Sequence, residues 1–362
     1  MDRRSFLRTS ALGGGAAAAT SLAAPAIAQG GQTLTMVTTW PRGLAGVWDS
    51  VERFSNNVKE ITDGQITIDP KGAGELVGAF ESFDAVVSGQ ADIYHGVDYY
   101  WMGQSPAWAY FGAVPFGMTA AEMMTWYYAD GGADLHKEVG EIFGVRSFLA
   151  GQTGAQGGGW FRNRVNSADD FNGLKFRMPG LGGEVLGKMG ASVQVLPGGE
   201  IYQALSTGSL DATEWIGPWS DERLGLQEVC DFYYPAGFHE AGPALSVGVN
   251  LEVFNGLTAG QQKAIEVAAT EGHQANYALF TANNGPALDR LKQGGTNIEE
   301  FADDIWDAFG QYSMEVLNGY TSDEMFAKVH ESAQASMRSS SEWLQLAESA
   351  YTRQRNRVLN SM

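Results

Sequence analysis

The 362-residue sequence has 23 lysines and arginines against 42 aspartates and glutamates, which gives a formal net charge of −19 at pH 7. Phosphate backbones and anionic lipids repel such an acidic surface, so these numbers argue against nucleic-acid and peripheral membrane binding. The single cysteine, Cys230, cannot form an internal disulfide, and the chain is long enough for two domains with cores of their own.

The N-terminus has the pattern of a twin-arginine export signal. Arg3-Arg4 precedes a mildly apolar run over residues 11–22, which closes on small residues at 26–28. The pattern predicts a signal peptide over residues 1–28 and a periplasmic mature chain; the alternative is a polar N-terminal arm. Without the signal, 20 basic residues remain against 41 acidic ones, a net charge of −21, so an anionic ligand needs a local cationic site.

After the signal, the chain opens like an α/β unit. Residues 34–39 alternate as a strand does, and Trp40-Pro41-Arg42-Gly43 ends that strand. A helix is predicted over residues 47–61 and a second strand over residues 65–70.

One fragment recurs 119 residues later in the chain. Residues 81–92 and residues 200–211 both follow the pattern Glu-x-aromatic-x-Ala-aliphatic-x-hydroxyl-Gly-x-x-Asp, which predicts a helix, a left-handed glycine cap and a short strand. Two such units predict two similar lobes, with the ligand beyond the carboxyl ends of the strands, at residues 93–95 and 212–215. Chance similarity between two ordinary helix–strand turns is the alternative.

Two further stretches have recognisable patterns. Residues 107–129 are almost wholly apolar or aromatic, yet Pro115, Gly117 and Glu122 argue against a membrane span, so we expect core and cleft wall. A strand is expected over residues 246–253, followed by a helix whose Thr258 and Gln261 have the spacing of a capping box.

From Ile305 onwards the pattern is helical. A final, otherwise polar helix has an apolar stripe made of Trp343, Ala347, Ala350 and Tyr351. Such a stripe packs either on its own domain or on a second protomer.

Enzyme templates do not match this sequence. The five histidines (His95, His136, His239, His273 and His330) form neither a His-Glu-x-x-His motif nor a Cys/His cluster. There is no Gly-x-Ser-x-Gly elbow and no P-loop lysine after the Gly157-Gly158-Gly159 run. Acidic and aromatic neighbours indicate that Cys230 is a buried structural thiol.

Arg177 is suited to holding an anion directly, and Glu214 is suited to doing so through a bound cation. Arg177 ends a short alternating strand before a Pro-Gly turn, where a guanidinium can grip a carboxylate with two hydrogen bonds; the alternative is a surface salt bridge. Glu214, between Thr213 and Trp215, needs a cation or a donor to neutralise it. It could therefore help to hold Na⁺ or Ca²⁺, or form a plain ion pair with Arg177.

In sequence, the mature chain resembles the substrate-binding component of tripartite ATP-independent periplasmic (TRAP) transporters. The segments that carry the resemblance span nearly the whole mature chain: Val87 to Asp92, Val114 to Phe116, Leu174 to Arg177 and Pro197 to Ala212. The set Gln156, Glu214-Trp215 and Glu240 is similar to the branch that binds 2-oxo or 2-hydroxy monocarboxylates with a metal ion. Gly198-Gly199 departs from the bulkier residues of many members, so the local turn is in question.

The resemblance implies a role for each residue of the site. Arg177 would clamp the carboxylate, and the cation, Na⁺ or alternatively Ca²⁺, would be ligated by Gln156, Glu214, the Trp215 carbonyl and, with less support, Glu240. The pocket would be lined by Trp215, Tyr100 and Thr39 or Trp40. The implied fold is two α/β lobes with mixed sheets, crossing strands, a long helix and C-terminal helices that form a homodimer.

Three segments follow from these observations: lobe I over residues 29–152 and 241–275, lobe II with the long helix over residues 153–240 and 276–330, and a C-terminal helix over residues 331–362. The expected function is non-catalytic binding of a small 2-oxo acid such as pyruvate, with delivery to a membrane permease. The alternatives are a dicarboxylate or longer oxo acid as ligand, a sensor module, or an exported enzyme that uses Glu214 and Glu240 as acid and base.

Overall fold

The structure, a computed structural model, describes residues 31–361. The predicted signal peptide at residues 1–28 lies outside the described residues. Within the described range, no helix combines the length and the apolar character that crossing a membrane requires.

The described chain contains two mixed β-sheets, each the centre of one lobe. The five-stranded sheet of lobe I has the order β2-β1-β3-β10-β4, in which β1 is parallel to β2 and β3, and β10 is antiparallel to both its neighbours. Its strands are β1 Gln32–Thr38, β2 Ile66–Lys71, β3 Ile93–Gly96, β4 Val145–Gln152 and β10 Ala244–Asn250.

The six-stranded sheet of lobe II has the order β11-β9-β5-β8-β6-β7. Strand β6 is parallel to β7 and β8, and β5 is antiparallel to β8 and β9. Its strands are β5 Gly159–Phe161, β6 Lys175–Arg177, β7 Ser192–Gln194, β8 Ala212–Thr213, β9 Phe232–Tyr234 and β11 Asn297–Ile298. The two-lobed α/β fold is confirmed.

Helices cover both sheets and form the C-terminal part of the chain. They are α1 Val47–Ile61, α2 Ser82–Val87, α3 Ala109–Gly112, α4 Ala120–Ala129, α5 Gly132–Ile142, α6 Gly180–Lys188, α7 Gly198–Ser206, α8 Pro218–Leu224, α9 Leu251–Gly256, α10 Ala259–Gln293, α11 Asp303–Tyr320, α12 Glu324–Leu344 and α13 Ala350–Leu359. The stretch at residues 107–129 contributes to the core, as predicted: Trp108, Phe111 and Trp126 are fully buried, while Phe116 and Tyr128 are 45% and 41% exposed.

The repeated fragment forms the same structure in both lobes. Helices α2 and α7 are followed by Gly89 and Gly208, whose φ angles of 77° and 76° lie in the left-handed region that glycine tolerates. The aspartate of each unit then accepts a hydrogen bond from a neighbouring backbone N–H: Asp92 from Thr35 at 2.7 Å, and Asp211 from Lys175 at 3.1 Å. The two aspartates make the same kind of hydrogen bond in both lobes, so the sequence repeat corresponds to a repeat in the structure.

Helix α10 ties the two lobes together. Its 35 residues extend over ~52 Å at 1.5 Å per residue, and it packs on β4 and α1 of lobe I and on α8 of lobe II. Its N-terminus has the predicted capping box, in which the Gln261 N–H donates to the Thr258 hydroxyl and the Gln261 side chain accepts from the Thr258 N–H. The residue limits of the lobes stay a prediction.

The strand expected over residues 246–253 was placed too far along the chain. Strand β10 ends at Asn250, whose side-chain oxygen accepts hydrogen bonds from the N–H groups of Glu252 and Val253 and so starts helix α9. An asparagine at the N-cap satisfies two free donors, and this local gain outweighs the β-preference of Val253.

The C-terminal apolar stripe does not pack on its own domain. Trp343 is 70% exposed and Tyr351 66% exposed, and Leu346 beside them is 67% exposed. The first half of α12, by contrast, buries Phe326 and Val329 against lobe I. Of the two alternatives for the stripe, own-domain packing is wrong.

Candidate ligand-binding site

The candidate site lies at the carboxyl ends of strands in lobe II, next to the two segments that cross between the lobes. Arg177 is the last residue of β6, and Glu214-Trp215 directly follows β8, its parallel neighbour, so these residues meet at the carboxyl ends of the strands, as predicted. Gln156 lies on the first crossing segment, between β4 and β5, and Glu240 lies on the second, between β9 and β10.

Arg177 is a buried arginine with one free nitrogen. The side chain is 1% exposed; Nε donates to the Leu196 carbonyl at 3.0 Å, and Nη1 pairs with the Glu214 carboxylate. Nη2 has no hydrogen-bond partner in the described part of the chain. Burial acts to lower the pKa of Arg177, but Glu214 and the nearby tyrosines outweigh it and hold that pKa above its usual value. The surface salt-bridge alternative is therefore wrong.

Glu214 is buried, like Arg177, and its environment is richer than a plain ion pair. Glu214, His239 and Glu240 each direct a ligand atom into one small volume, where these atoms lie within 4.8 Å of one another. All three residues are at most 3% exposed. The Glu214 carboxylate is 3.5 Å from His239 Nε2.

Several polar atoms of this cluster lack partners. Among residues 31–361, Gln156 Oε1, Glu240 Oε2 and both ring nitrogens of His239 are buried without a hydrogen bond. Each such atom costs about 1–3 kcal/mol when no ligand compensates it. The free atoms are an amide oxygen, a carboxylate oxygen and imidazole nitrogens, which is a donor set that fits a cation.

Backbone hydrogen bonds hold the contributing segments together. The Gln156 N–H donates to the Glu240 carbonyl at 3.0 Å, and the Gly237 N–H donates to the Gln156 carbonyl at 3.1 Å. The Gly157 N–H donates to the Ile216 carbonyl at 3.1 Å, which links the first crossing segment to the loop after β8. Movement of one segment therefore moves the others.

Glu240 titrates far from its ordinary range. Burial raises the pKa of Glu240 to about 7, and the Glu214 carboxylate adds to the rise, while His239, Tyr99 and Arg177 oppose it. Near neutral pH this carboxyl can therefore exist in both protonation states.

Aromatic side chains cover the cluster from both lobes. The Arg177 guanidinium lies 5.3 Å from the Trp215 ring centroid, and the Trp40 ring of lobe I meets Trp215 edge to face at 6.2 Å and Tyr100 at 6.5 Å. The structure explains why position 198 is a glycine where many family members have a bulkier residue. A Cβ at Gly198 would lie 2.3 Å from the Trp215 ring. The indole occupies the space that a bulkier residue would need.

Trp40 and Trp215 are both held by buried hydrogen bonds. Trp215 Nε1 donates to Ser220 Oγ at 2.9 Å, and Trp40 Nε1 donates to His95 Nδ1 at 2.9 Å. His95 Nε2 is 3.1 Å from Ser50 Oγ, and burial lowers the pKa of His95 to about 3, so the imidazole is neutral. These hydrogen bonds therefore fix the orientation of both indole rings.

A cavity of about 550 Å³ opens beside this cluster, lined by both lobes. Tyr99 and Tyr100 of lobe I and Met178 and Pro179 of lobe II contribute to its wall. Tyr100, next to Arg177, has its pKa raised to about 12 by burial. Met178 directly follows Arg177, so the cavity borders the strand end that carries the guanidinium, although Arg177 itself does not line it.

The structure brings together most of the residues that the sequence singled out. Arg177, Gln156, Glu214, Trp215, Glu240, Tyr100 and Trp40 gather as described, and Thr39 lies next to Trp40 with a buried hydroxyl that has no partner within the described range. Sequence reasoning missed His239, although it adjoins Glu240, and it missed Tyr99 and the supporting His95. Cys230 is the predicted structural thiol: it is 2% exposed, and burial raises its pKa to about 12.

A buried polar cluster between two α/β lobes is typical of a solute-binding receptor. A family model described as bacterial extracellular solute-binding protein, family 7, matches residues 44–326 of the chain. The chain belongs to this family, the solute-binding proteins of TRAP transporters.

Relatives with characterised ligands resemble the chain over most of its length. It is 40% identical over 317 residues to a monocarboxylate 2-oxoacid-binding periplasmic protein of Nostoc sp., covering 87% of each chain. A TRAP solute-binding protein from Pseudoalteromonas atlantica with bound sodium and pyruvate has a TM-score of 0.86 and 35% identity, over 89% of this chain and 99% of that one. One from Bordetella bronchiseptica, a mixed-occupancy dimer with calcium and picolinate, has a TM-score of 0.89 and 30% identity, over 91% and 99%.

Proposed function

We propose that this protein binds a small 2-oxo or 2-hydroxy monocarboxylate such as pyruvate together with a metal cation, and delivers it to a TRAP permease. The observation that carries the proposal is the buried cluster itself. It presents one free guanidinium nitrogen, on Arg177, beside free acceptor atoms on Gln156 and Glu240. That set is complementary to a carboxylate and a cation bound side by side.

The ligands of the two solved relatives share one chemical feature. Pyruvate has its 2-oxo oxygen next to the carboxylate, and picolinate has its ring nitrogen in the equivalent position. Both can therefore chelate a cation with two neighbouring donor atoms. This feature favours a ligand with a donor atom at its 2-position over a dicarboxylate, whose carboxylates are farther apart.

The residues that would hold the cation are Gln156, Glu214, the Trp215 carbonyl and Glu240. Their oxygens are hard ligands that Na⁺ and Ca²⁺ accept. With Glu240 protonated, Arg177 balances Glu214 and a monovalent ion neutralises the ligand. With Glu240 ionised, one further positive charge is needed. Both Na⁺ and Ca²⁺ therefore fit the site, each with one charge state of Glu240.

Binding would proceed by closure of the lobes. Arg177 and the cation ligands come from lobe II and the crossing segments, while Trp40 and Tyr100 come from lobe I and would cover the ligand. The ligand would leave unchanged, since a receptor of this kind delivers its cargo without turnover. Recovery of chemically altered pyruvate after incubation would instead favour the acid–base alternative with Glu214 and Glu240.

Substitution of Arg177 tests the central claim. We expect Arg177→Ala and Arg177→Lys to weaken pyruvate binding by at least about 30-fold in isothermal titration calorimetry, because truncating a buried charge partner costs about 2–5 kcal/mol. Arg290→Ala is the matched control, since Arg290 forms an exposed pair with Glu222. Unchanged affinity in a folded Arg177→Lys protein would overturn the proposal.

Removal of the cation tests its part in binding. Dialysis against a chelator and then against Na⁺-free buffer should weaken pyruvate binding, and adding back Na⁺ or Ca²⁺ should restore it. Equal affinity before and after both steps would leave Glu214 as the ion-pair partner of Arg177 alone.

The exposed C-terminal stripe supports a homodimer as part of the proposal. Trp343, Leu346 and Tyr351 are each at least 66% exposed to solvent, and the Bordetella bronchiseptica relative is a dimer. Light scattering should give twice the chain mass for the wild type and one chain mass for the double variant Trp343→Glu, Tyr351→Glu. A monomeric wild type would contradict this role for the stripe.

Export through the twin-arginine pathway completes the proposal. The Arg3-Arg4 pattern supports this route. Replacing both arginines with lysine should keep the protein out of the periplasmic fraction, whereas unchanged export would rule the pathway out.

A further inference from the structure

His239 is a buried histidine with two free nitrogens. It is 2% exposed, and neither ring nitrogen has a hydrogen-bond partner within residues 31–361. Buried histidines elsewhere in the chain are better satisfied: His95 bonds through both nitrogens, and so does His136. An imidazole with no partner in a polar cluster points to a ligand.

The position of His239 identifies the kind of ligand. Its ring lies with the Glu214 and Glu240 carboxylates, and the three ligand atoms are within 4.8 Å of one another. Opposite ligands around an ion with bonds of about 2.2 Å are about 4.4 Å apart, so movements of a few tenths of an ångström would close this set around one ion. The 3.5 Å gap between Nε2 and the Glu214 carboxylate is long for a hydrogen bond.

The donor type discriminates between metals. Na⁺ and Ca²⁺ take oxygen ligands, whereas imidazole nitrogen is a preferred ligand of divalent first-row transition ions. With two carboxylates and the free Gln156 amide oxygen, His239 makes a mixed nitrogen and oxygen set. If the His239 nitrogen takes the place of the Trp215 carbonyl, two donor atoms of a 2-oxo acid bring the set to six.

We propose that His239 is a direct ligand of the bound cation, and that the site therefore takes a divalent transition ion such as Zn²⁺ or Co²⁺ more tightly than Ca²⁺ or Na⁺. This inference rests on the proposed cation site and extends it. Oxygen ligands alone do not favour transition ions over Ca²⁺ and Na⁺. The His239 nitrogen therefore decides which metal the site prefers.

The test exchanges the nitrogen ligand for an oxygen ligand. Chelator-treated full-length mature protein is titrated with Zn²⁺ and, separately, with Ca²⁺ by calorimetry, without any 2-oxo acid, for the wild type and for His239→Gln. Because even indirect partners of a metal ligand are worth about 10–100-fold in affinity, His239→Gln should weaken Zn²⁺ binding by at least about 100-fold. Ca²⁺ binding should change by less than about threefold, since the glutamine amide oxygen suits Ca²⁺.

The control is His273→Gln. His273 is a buried histidine of α10 whose Nδ1 bonds to the Tyr128 hydroxyl. This substitution should leave both affinities unchanged. The absorption bands of bound Co²⁺ give a second signature, because they report nitrogen ligation and should shift in His239→Gln only. Equal Zn²⁺ affinity and an unchanged Co²⁺ spectrum in His239→Gln and the wild type would overturn the inference.

Pyruvate titrations separate this inference from the proposed function. If His239→Gln keeps its Zn²⁺ affinity while the wild type binds pyruvate in a Ca²⁺-dependent manner, the proposed function stands and the role of His239 falls. If neither metal binds the wild type and pyruvate affinity is indifferent to chelator, the cation site itself is wrong.

Discussion

Two buried polar clusters, one in lobe I and one at the candidate site, contain similar side chains. They differ in how many of their polar atoms have a hydrogen-bond partner. In lobe I, Asp98 accepts hydrogen bonds from Tyr94 at 3.0 Å and from His136 and Ser246 at 2.8 Å each. Tyr127 bonds to the other His136 nitrogen at 3.1 Å. Every polar side-chain atom of this network has a partner.

The candidate site also combines a histidine with carboxylates, yet it leaves buried atoms free on Gln156, Arg177, His239 and Glu240. A satisfied cluster stabilises the folded chain, because each partner compensates the lost hydration of the other. A cluster with free atoms costs stability until a ligand fills it. The difference favours a structural role for the first cluster and supports the proposed binding role of the second.

The largest expected effect comes from breaking the satisfied cluster. His136→Ala leaves the Asp98 carboxylate buried beside an empty space, which should lower the free energy of unfolding by about 3–5 kcal/mol. His239→Ala removes an equally buried ring that has no hydrogen bond to lose, so its cost should be clearly smaller. Urea denaturation of both variants without ligand measures the difference; equal losses would break the comparison.

Another buried carboxyl group, that of Asp221, gives a pH-dependent effect of intermediate size. It accepts hydrogen bonds from the Ile216 and Gly217 N–H groups and from Trp160 Nε1, yet burial raises its pKa to about 7. Because the folded-state pKa exceeds the unfolded value, the folded chain binds the proton more tightly. The stability from this group is present below about pH 4 and declines as the pH rises towards 7.

Asp221→Asn should remove that decline. The free energy of unfolding of the variant relative to the wild type should increase by on the order of 3 kcal/mol between pH 4 and pH 8. Urea titrations at several pH values check this expectation. Parallel pH profiles for the two proteins would show that the Asp221 carboxyl is not perturbed in this direction.

The smallest expected effect concerns the support of Trp40. His95→Leu removes the acceptor of the Trp40 indole N–H, and the loss of one hydrogen bond of about 1 kcal/mol should weaken pyruvate binding about fivefold. Trp40 should also shift its fluorescence. His273→Gln, at a buried histidine that bonds to Tyr128 and not to Trp40, should keep the affinity of the wild type, and a loss of similar size there would indicate a general effect of core substitutions.

The sequence by itself determined the features that depend on near neighbours. The bounds of α1, the glycine caps at Gly89 and Gly208 and the Thr258–Gln261 capping box were predictable, because each depends on contacts within about four residues. Arg177 and Glu214 were indicated by their own surroundings in the sequence, and the family resemblance added Gln156 and Glu240. These residues could be named before the structure showed that they share one cluster.

Only the tertiary structure decided which polar groups find partners. Every histidine looks alike in the sequence, but His136 meets Asp98 across 38 positions and His95 meets Trp40 across 55, while His239 meets no partner in the described chain. Likewise, the exposure of Trp343 depends on the absence of a facing surface within residues 31–361. Burial and pairing are long-range properties, because they depend on which segments the fold brings together.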